Sequence, residues 1–204
     1  MKHVTIVNTG VGNFGAIPNM LKRLGASAVI TDDPDEISRA EKLILPGVGA
    51  FDAAAVKLLE LAAALERPVL ERGVPILGLC LGMQLLSNGS EEGSLPGLGW
   101  IPGRVVRFRL DESDASLHVP QMGWNAIRVV RPTQLLSDLG ERPRFYFANS
   151  YHFVCDDPAD VAAISSYGYW FPAVVRHENV MGAQFHPEKS HRFGMKLLEN
   201  FLGL

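Results

Sequence analysis

Cysteine is scarce in this chain, with two in 204 residues, Cys80 and Cys155. One pair could close a single disulfide, but a small secreted scaffold held by several bridges is excluded. Long apolar runs are missing too. The longest, from Val74 to Leu86, is interrupted by Pro75, Gly78, Gly82 and Gln84, and it falls short of the roughly 20 residues a membrane-spanning helix needs. The opening Val4-Thr5-Ile6-Val7 stops at Asn8-Thr9-Gly10, too short for the apolar part of a secretory signal. A cytoplasmic chain with no membrane partner is therefore expected. Positive charge is not in excess: 19 Lys and Arg face 22 Asp and Glu, for a net charge of −3. A sequence-independent grip on nucleic acid uses a basic face, so no such partner is expected. Internal repeats, low-complexity runs and an interdomain linker are absent from the sequence.

What is present is ordinary globular material, 47% hydrophobic and 20% charged. A chain of this length buries roughly 70% of its unfolded surface in one core, so residues 1–204 are expected to form a single domain. In the first ninety residues, short β-type runs alternate with helical ones. Val4–Val7, Val29–Thr31, Lys42–Leu45 and Pro75–Leu79 are predicted strands. Gly10-Val11-Gly12-Asn13 makes a turn before a helix carrying Phe14, Ile17, Met20, Leu21 and Leu24 at helical spacing, with Gly25 as its stop. Asp33-Pro34 opens a short helix, since proline suits the first helical position, and Ala53–Leu65 is a longer one. This βαβα order predicts a mainly parallel central sheet with helices on both faces. From Gly99 onward the pattern turns to short β-runs around Val105–Leu110, Ile127–Val130, Phe145–Ala148, Val161–Ile164, Ala173–Val175 and Val180–Phe185. These are expected to add antiparallel strands to the first sheet, before a closing helix over Arg192–Leu204.

The strongest chemical signal is Leu77-Gly78-Leu79-Cys80-Leu81-Gly82-Met83-Gln84. An apolar strand runs into a cysteine with a glycine two positions away on each side, and a helical run follows. That is the nucleophile-elbow pattern with sulfur in place of oxygen. The helix start beneath the sulfur favours the attacking thiolate. A buried core cysteine beside packing glycines is the competing reading. The second signal is His186-Pro187-Glu188. A histidine at a strand end and a glutamate two residues on can meet across the proline bend, the imidazole moving a proton and the carboxylate holding its tautomer. Together Cys80, His186 and Glu188 form a Cys/His/Glu set. His186 and His191 lack a third neighbouring ligand, so no metal site is expected.

Gly78-x-Cys80-x-Gly82-x-Gln84 and His186-Pro187-Glu188 resemble the two signatures of class I, triad-type glutamine amidotransferases. Pro46-Gly47-Val48-Gly49-Ala50-Phe51, Pro120-Gln121-Met122-Gly123-Trp124-Asn125 and Gln184–Ser190 resemble more narrowly the HisH-type glutaminase subunits of imidazole glycerol phosphate synthase. The resemblance covers essentially the whole chain. It implies that Cys80 attacks the side-chain amide of L-glutamine, that a γ-glutamyl thioester forms while ammonia leaves, and that water activated by His186 releases glutamate. No cofactor is implied. The backbone amides of Leu81 and of the Val48-Gly49 turn are the implied oxyanion donors.

By the same resemblance Gln84, Glu92, Asn149, Ser150 and Tyr151 contact substrate, although Glu92 also reads as an exposed loop acid. Asn149 and Gln121 stand where the family more often has histidine. Gln121, Met122, Gly123, Trp124, Asn125 and Lys189 are the implied partner-facing residues, with Trp124 an interface anchor or a core tryptophan. Because ammonia in neutral water is mostly ammonium, a partner is expected: a HisF-like (β/α)8 cyclase barrel of histidine biosynthesis, or a sugar-modifying ligase of surface-polysaccharide pathways. Ser190–Lys196, Gly12–Gly15 and Asn19–Leu21 lean towards the second. A non-catalytic binding protein that keeps the fold, and a cysteine peptidase on the same sheet, are further readings.

Overall fold

The computed structural model describes residues 2–11, 15–111, 114 and 116–204. The four early strands form where expected: β1 (His3–Val7), β2 (Ser27–Thr31), β3 (Leu43–Gly47) and β4 (Ile76–Cys80). Of the glycine turn and helix start expected at residues 10–14, Gly12, Asn13 and Phe14 lie outside the described residues. Helix α1 (Ala16–Arg23) buries Ile17 and Leu21. In α2 (Pro34–Ser38), Pro34 takes the first position and the Asp33 carboxylate accepts from the Asp35 amide at 2.8 Å, meeting one orphan donor of the helix start. The long helix expected over Ala53–Leu65 is divided at Leu61 into α3 (Phe51–Glu60) and α4 (Ala62–Glu66).

After β4 come α5 (Leu81–Gln84), β5 (Gly103–Arg107), β6 (Gln121–Val129), β7 (Arg144–Asn149), β8 (Tyr151–Cys155), β9 (Val161–Tyr167), β10 (Tyr169–His177), β11 (Val180–Ala183) and α6 (His191–Leu202). Among the described residues, the main sheet runs β2-β1-β3-β4-β11-β10-β9-β6-β7. It is parallel from β2 to β11 and antiparallel from β11 to β7. The class is therefore the mixed, mainly parallel α/β sheet expected.

One expectation needs correcting, because β5 does not join this sheet. It pairs antiparallel with β8, a strand the sequence reading missed, in a separate two-stranded ribbon. The reason is packing: Val105 of β5 and Phe153 of β8 are fully buried against the core built on α3 and α4.

Strand alternation builds two cores. Val4, Ile6, Leu77 and Leu79 face a layer containing α1 and α6; Val7, Leu43, Leu45 and Ile76 face α2, α3, α4 and the ribbon. Such two-sided burial suits strands covered on both faces. The buried Lys42 ammonium caps the end of α6, donating to the carbonyls of Phe201 and Leu204, both at 3.0 Å. Burial, followed by the charge of Lys2, lowers its pKa.

His152 of β8 is packed among Phe108, Tyr169 and Phe171. Its Nδ1 lies 3.0 Å from the Phe153 carbonyl and its Nε2 2.9 Å from the Tyr169 hydroxyl. A carbonyl can only accept, so Nδ1 carries the proton of the neutral ring. Burial holds its pKa below the ordinary 6.5. The unfolded chain thus takes up a proton that the fold resists. This stability is present above the ordinary value and drains as pH falls. We expect the melting temperature to drop on acidification below pH 6.5 and His152→Phe to shrink that drop. An unchanged pH slope in the variant would assign the acid sensitivity elsewhere.

Candidate active site

Cys80 ends β4 with φ +53° and ψ −110°, a left-handed backbone that a residue with a Cβ adopts at a cost of order 1–3 kcal/mol. The turn projects its sulfur from the carboxyl end of the parallel strands, where ligands of open α/β sheets bind. Two glycines make the elbow sterically possible. A Cβ on Gly78 would come within 2.6 Å of the Gly82 carbonyl oxygen, and one on Gly82 would collide with the Leu45 carbonyl oxygen. On one side β3 pairs Gly47 with Cys80, which brings the Val48-Gly49 turn beside the sulfur. On the other, β11 pairs Ala183 with Leu79 and leads through Gln184 and Phe185 to His186.

His186 is held by its backbone, its amide donating to the Tyr146 carbonyl at 2.8 Å. The Ser190 hydroxyl donates to the His186 carbonyl and accepts from the Tyr146 amide at 3.0 Å. The ring is buried, and Nδ1 lies 2.7 Å from Glu188 Oε1. Burial would lower the imidazole pKa. The hydrogen bonds to Cys80 and Glu188, together with their charges, outweigh that and push it up to about 10. The imidazolium is then the favoured form of His186, held between Cys80 and Glu188.

A cleft of about 270 Å³ opens over Cys80 and His186. Val48, Gly49 and Leu81, the implied oxyanion donors, line it, as do Gln84, Glu92, Asn149, Ser150, Tyr151 and Lys189. Glu188 stands behind His186 rather than in the lining. Glu92 Oε2 accepts from the Phe51 amide at 3.0 Å, so this acid also caps the start of α3. Burial raises its pKa. Asn149 Nδ2 donates to the Tyr151 carbonyl at 2.9 Å, while its Oδ1 and the Oε1 of Gln121, the residue opposite it across β6 and β7, are buried without protein partners. Orphaned acceptors of this kind call for a donor from water or ligand.

The segment expected to face a partner is split by the strand. Gln121 is only 3% exposed, whereas Met122 is 67% and Trp124 45% exposed. The Trp124 ring is stacked on His191, centroids 5.4 Å apart and planes within 1°. Gly123 (φ +139°) and Asn125, whose Nδ2 donates to the Ser166 carbonyl at 2.6 Å, sit on the same strand. Lys189 is exposed, its ammonium 5.4 Å from the centre of the Tyr146 ring.

One functional candidate escaped the sequence reading. Gln184 is fully buried and its Nε2 lies 3.9 Å from Cys80 Sγ. The signal available was its place as the residue after Ala183, level with Cys80 on the neighbouring strand. Among the described residues, no group of three or more His, Cys, Asp or Glu is arranged to hold a metal ion, and no helix is long and apolar enough to cross a membrane.

A strand-to-helix cysteine meets a histidine and a glutamate that follow the adjacent parallel strand, at a small polar cleft on an α/β sheet. The family model for glutamine amidotransferase class-I matches residues 5–203. The chain belongs to that family. It is 46% identical over 203 residues to the imidazole glycerol phosphate synthase subunit HisH of Leptospira borgpetersenii, covering 98% of this chain and 100% of that one. It is 47% identical over 203 residues to subunit HisH 2 of Pseudomonas aeruginosa (98% and 99% covered). Against subunit HisH 2 of Methanococcus maripaludis it is 45% identical over 201 residues, 98% of each. Among solved structures, PurLQS from Thermotoga maritima superposes with a TM-score of 0.75 at 22% identity, covering 100% of this chain and 99% of that one. A glutamine amidotransferase does so with 0.74 at 22%, covering 98% and 99%. These two likenesses concern the fold.

The elbow makes a stability prediction. Gly82→Ala should destabilise the chain by about 2 kcal/mol or more, because backbone must move to admit one methyl group. Urea unfolding checks this. A midpoint equal to the parent's would mean that β3 and the elbow are not in the tight contact described.

Proposed function

We propose that residues 1–204 form one glutaminase domain that splits L-glutamine into glutamate and ammonia and passes the ammonia to a cyclase subunit of imidazole glycerol phosphate synthase, in histidine biosynthesis. The observation that carries the reading is Cys80 and His186 together in the cleft, with Glu188 bound to the imidazole from behind. The Cys80 thiolate adds to the side-chain amide carbon, and the negative charge moves to the carbonyl oxygen. The Leu81 amide and the Val48-Gly49 turn are the donors for that oxyanion. Collapse expels the amide nitrogen, which leaves as ammonia with the proton held on His186. The neutral imidazole next takes a proton from water, hydroxide adds to the thioester carbon, and collapse breaks the C–S bond to release the Cys80 thiolate. The proton stays on His186, and the carboxylic acid formed ionises to solvent as glutamate leaves. Glu188, bound to Nδ1, keeps Nε2 turned towards sulfur and substrate. Gln84, Glu92, Asn149, Ser150 and Tyr151 are the proposed contacts to the amino-acid end of the substrate, and no cofactor enters.

The partner reading rests on chemistry and surface. Free ammonia in neutral water is mostly ammonium and unreactive as a nucleophile, so it must leave by a dry route. Met122 and Trp124 expose large apolar side chains, and the exposed Lys189 meets the same Tyr146 ring as Trp124, the pattern of an interface anchor. The HisF-like (β/α)8 barrel is the partner favoured, because the relatives described above carry the synthase's name and none of them that of a sugar-modifying ligase. A cytoplasmic setting suits a nucleophile that must stay reduced.

Cys80→Ala should lower glutamine-dependent turnover by about 10³-fold or more, while the assembled synthase still makes product from added ammonium salt. Glutamine hydrolysis that survives the substitution would remove Cys80 from the mechanism. Trp124→Ala should weaken binding of the cyclase barrel by roughly thirtyfold, about 2 kcal/mol. An unchanged dissociation constant, measured by calorimetry, would move the interface away from β6.

A further inference from the structure

We propose that Gln184 is a donor to the Cys80 sulfur whose polarity is set by Gln84, so that the side chain expected at the substrate's amino-acid end also supports the nucleophile. The inference deepens the glutaminase reading and rests on it. Its basis is a chain of amides that runs from the cleft to the sulfur. Gln84 Nε2 donates twice, to the Tyr151 carbonyl and to Gln184 Oε1, both at 3.2 Å. A carbonyl can only accept, which keeps the Gln84 amino group on that side. Gln184 Oε1 is therefore an acceptor, and its own amino group must face the other way, towards Cys80 Sγ at 3.9 Å.

Register explains the placement. Parallel pairing sets Ala183 beside Leu79, so the next residues, Gln184 and Cys80, emerge level at the carboxyl edge. Gln184 has no solvent exposure, so water does not compete for its amide. In a water-poor site a fixed N–H aimed at sulfur stabilises negative charge there without reorganising. Turning the amide over would present a carbonyl oxygen to the thiolate and break the bond to Gln84 as well. With both Gln84 amino protons committed, Oε1 is the polar atom that Gln84 has left for a ligand in the cleft. A donor arriving there polarises the same amide chain that ends on Cys80. Gln184 thus supports negative charge on the Cys80 sulfur, and Glu188 supports the His186 imidazolium.

Alkylation of Cys80 by iodoacetamide, followed by peptide mass spectrometry on the full chain over a range of pH, tests this without requiring turnover. Cys155 is read separately. Burial, and then Asp160, Asp156 and Asp157, push its thiol up to about 12. Gln184→Met keeps the volume and removes the donor; Gln184→Glu keeps the shape and turns an acceptor on the sulfur. Both are expected to slow alkylation of Cys80 near neutral pH by about tenfold or more, as loss of a hydrogen bond to a charged group does. The pH profile should shift upward, with glutamine turnover falling in kcat more than KM rises. Gln84→Met, which leaves Gln184 in place but frees its amide to rotate, should shift the profile in the same direction. A folded Gln184→Met protein that alkylates within about twofold of the parent, with an unmoved profile, overturns the donor role; should that variant not fold, an unmoved profile in Gln84→Met does so. Either result, with Cys80→Ala still inactive on glutamine, leaves the nucleophile in place, whereas hydrolysis by Cys80→Ala removes the parent reading itself.

Discussion

The backbone of Cys80 sits at a φ that its side chain disfavours, and the surrounding chain holds it there. Gly78 and Gly82 remove the two Cβ atoms that would collide in the bend, and β4 is clamped between β3 and β11. Releasing the bend would let Cys80 continue as an ordinary strand residue with its sulfur in a core layer. Holding it places the sulfur at an edge where two neighbouring strands end at the same level. One delivers the Val48-Gly49 turn, the other Gln184 and His186. Parallel register thus brings together Cys80, the Val48-Gly49 turn and the segment leading to His186.

The antiparallel half of the sheet connects this site to the outside. β7 fixes the His186 backbone through Tyr146, and the same Tyr146 lies opposite Trp124 in the pairing with β6. Trp124 is stacked on His191 at the start of α6, five residues beyond His186. His186 and the exposed apolar side chains thus share a short piece of structure. Electrostatics reinforces the same locality. Burial alone would strip His186 of its charge, and only partners on both sides, Cys80 and Glu188, reverse that. Either partner missing leaves a buried charge unsupported, which is costly.

Much of this was legible in residue order. Glycines two positions either side of Cys80, and proline between His186 and Glu188, are constraints that act over a few residues, so they are visible locally. β1, β3 and β4 were readable because buried parallel strands are nearly continuous apolar runs. What escaped reading depends on pairing between distant segments. β8 was missed because Asn149 and Ser150 look like a loop, and β5 was assigned to the main sheet because nothing local distinguishes a ribbon from a sheet edge. The inward turn of Gln121 beside the exposed Met122 follows from strand alternation, which is set only once the register with β7 is known. Gln184 was hidden for the same reason, since its contact with Cys80 is made across two strands about a hundred residues apart in sequence.

The central claim is that Cys80 attacks glutamine at its side-chain carbon. A glutamine analogue with an electrophile at that carbon, incubated with the chain and its partner and followed by peptide mapping, tests it most directly. The account predicts one adduct, on Cys80, whose formation excess glutamine suppresses and His186→Ala slows. No adduct, or an adduct on Cys155 with Cys80 untouched, would contradict it.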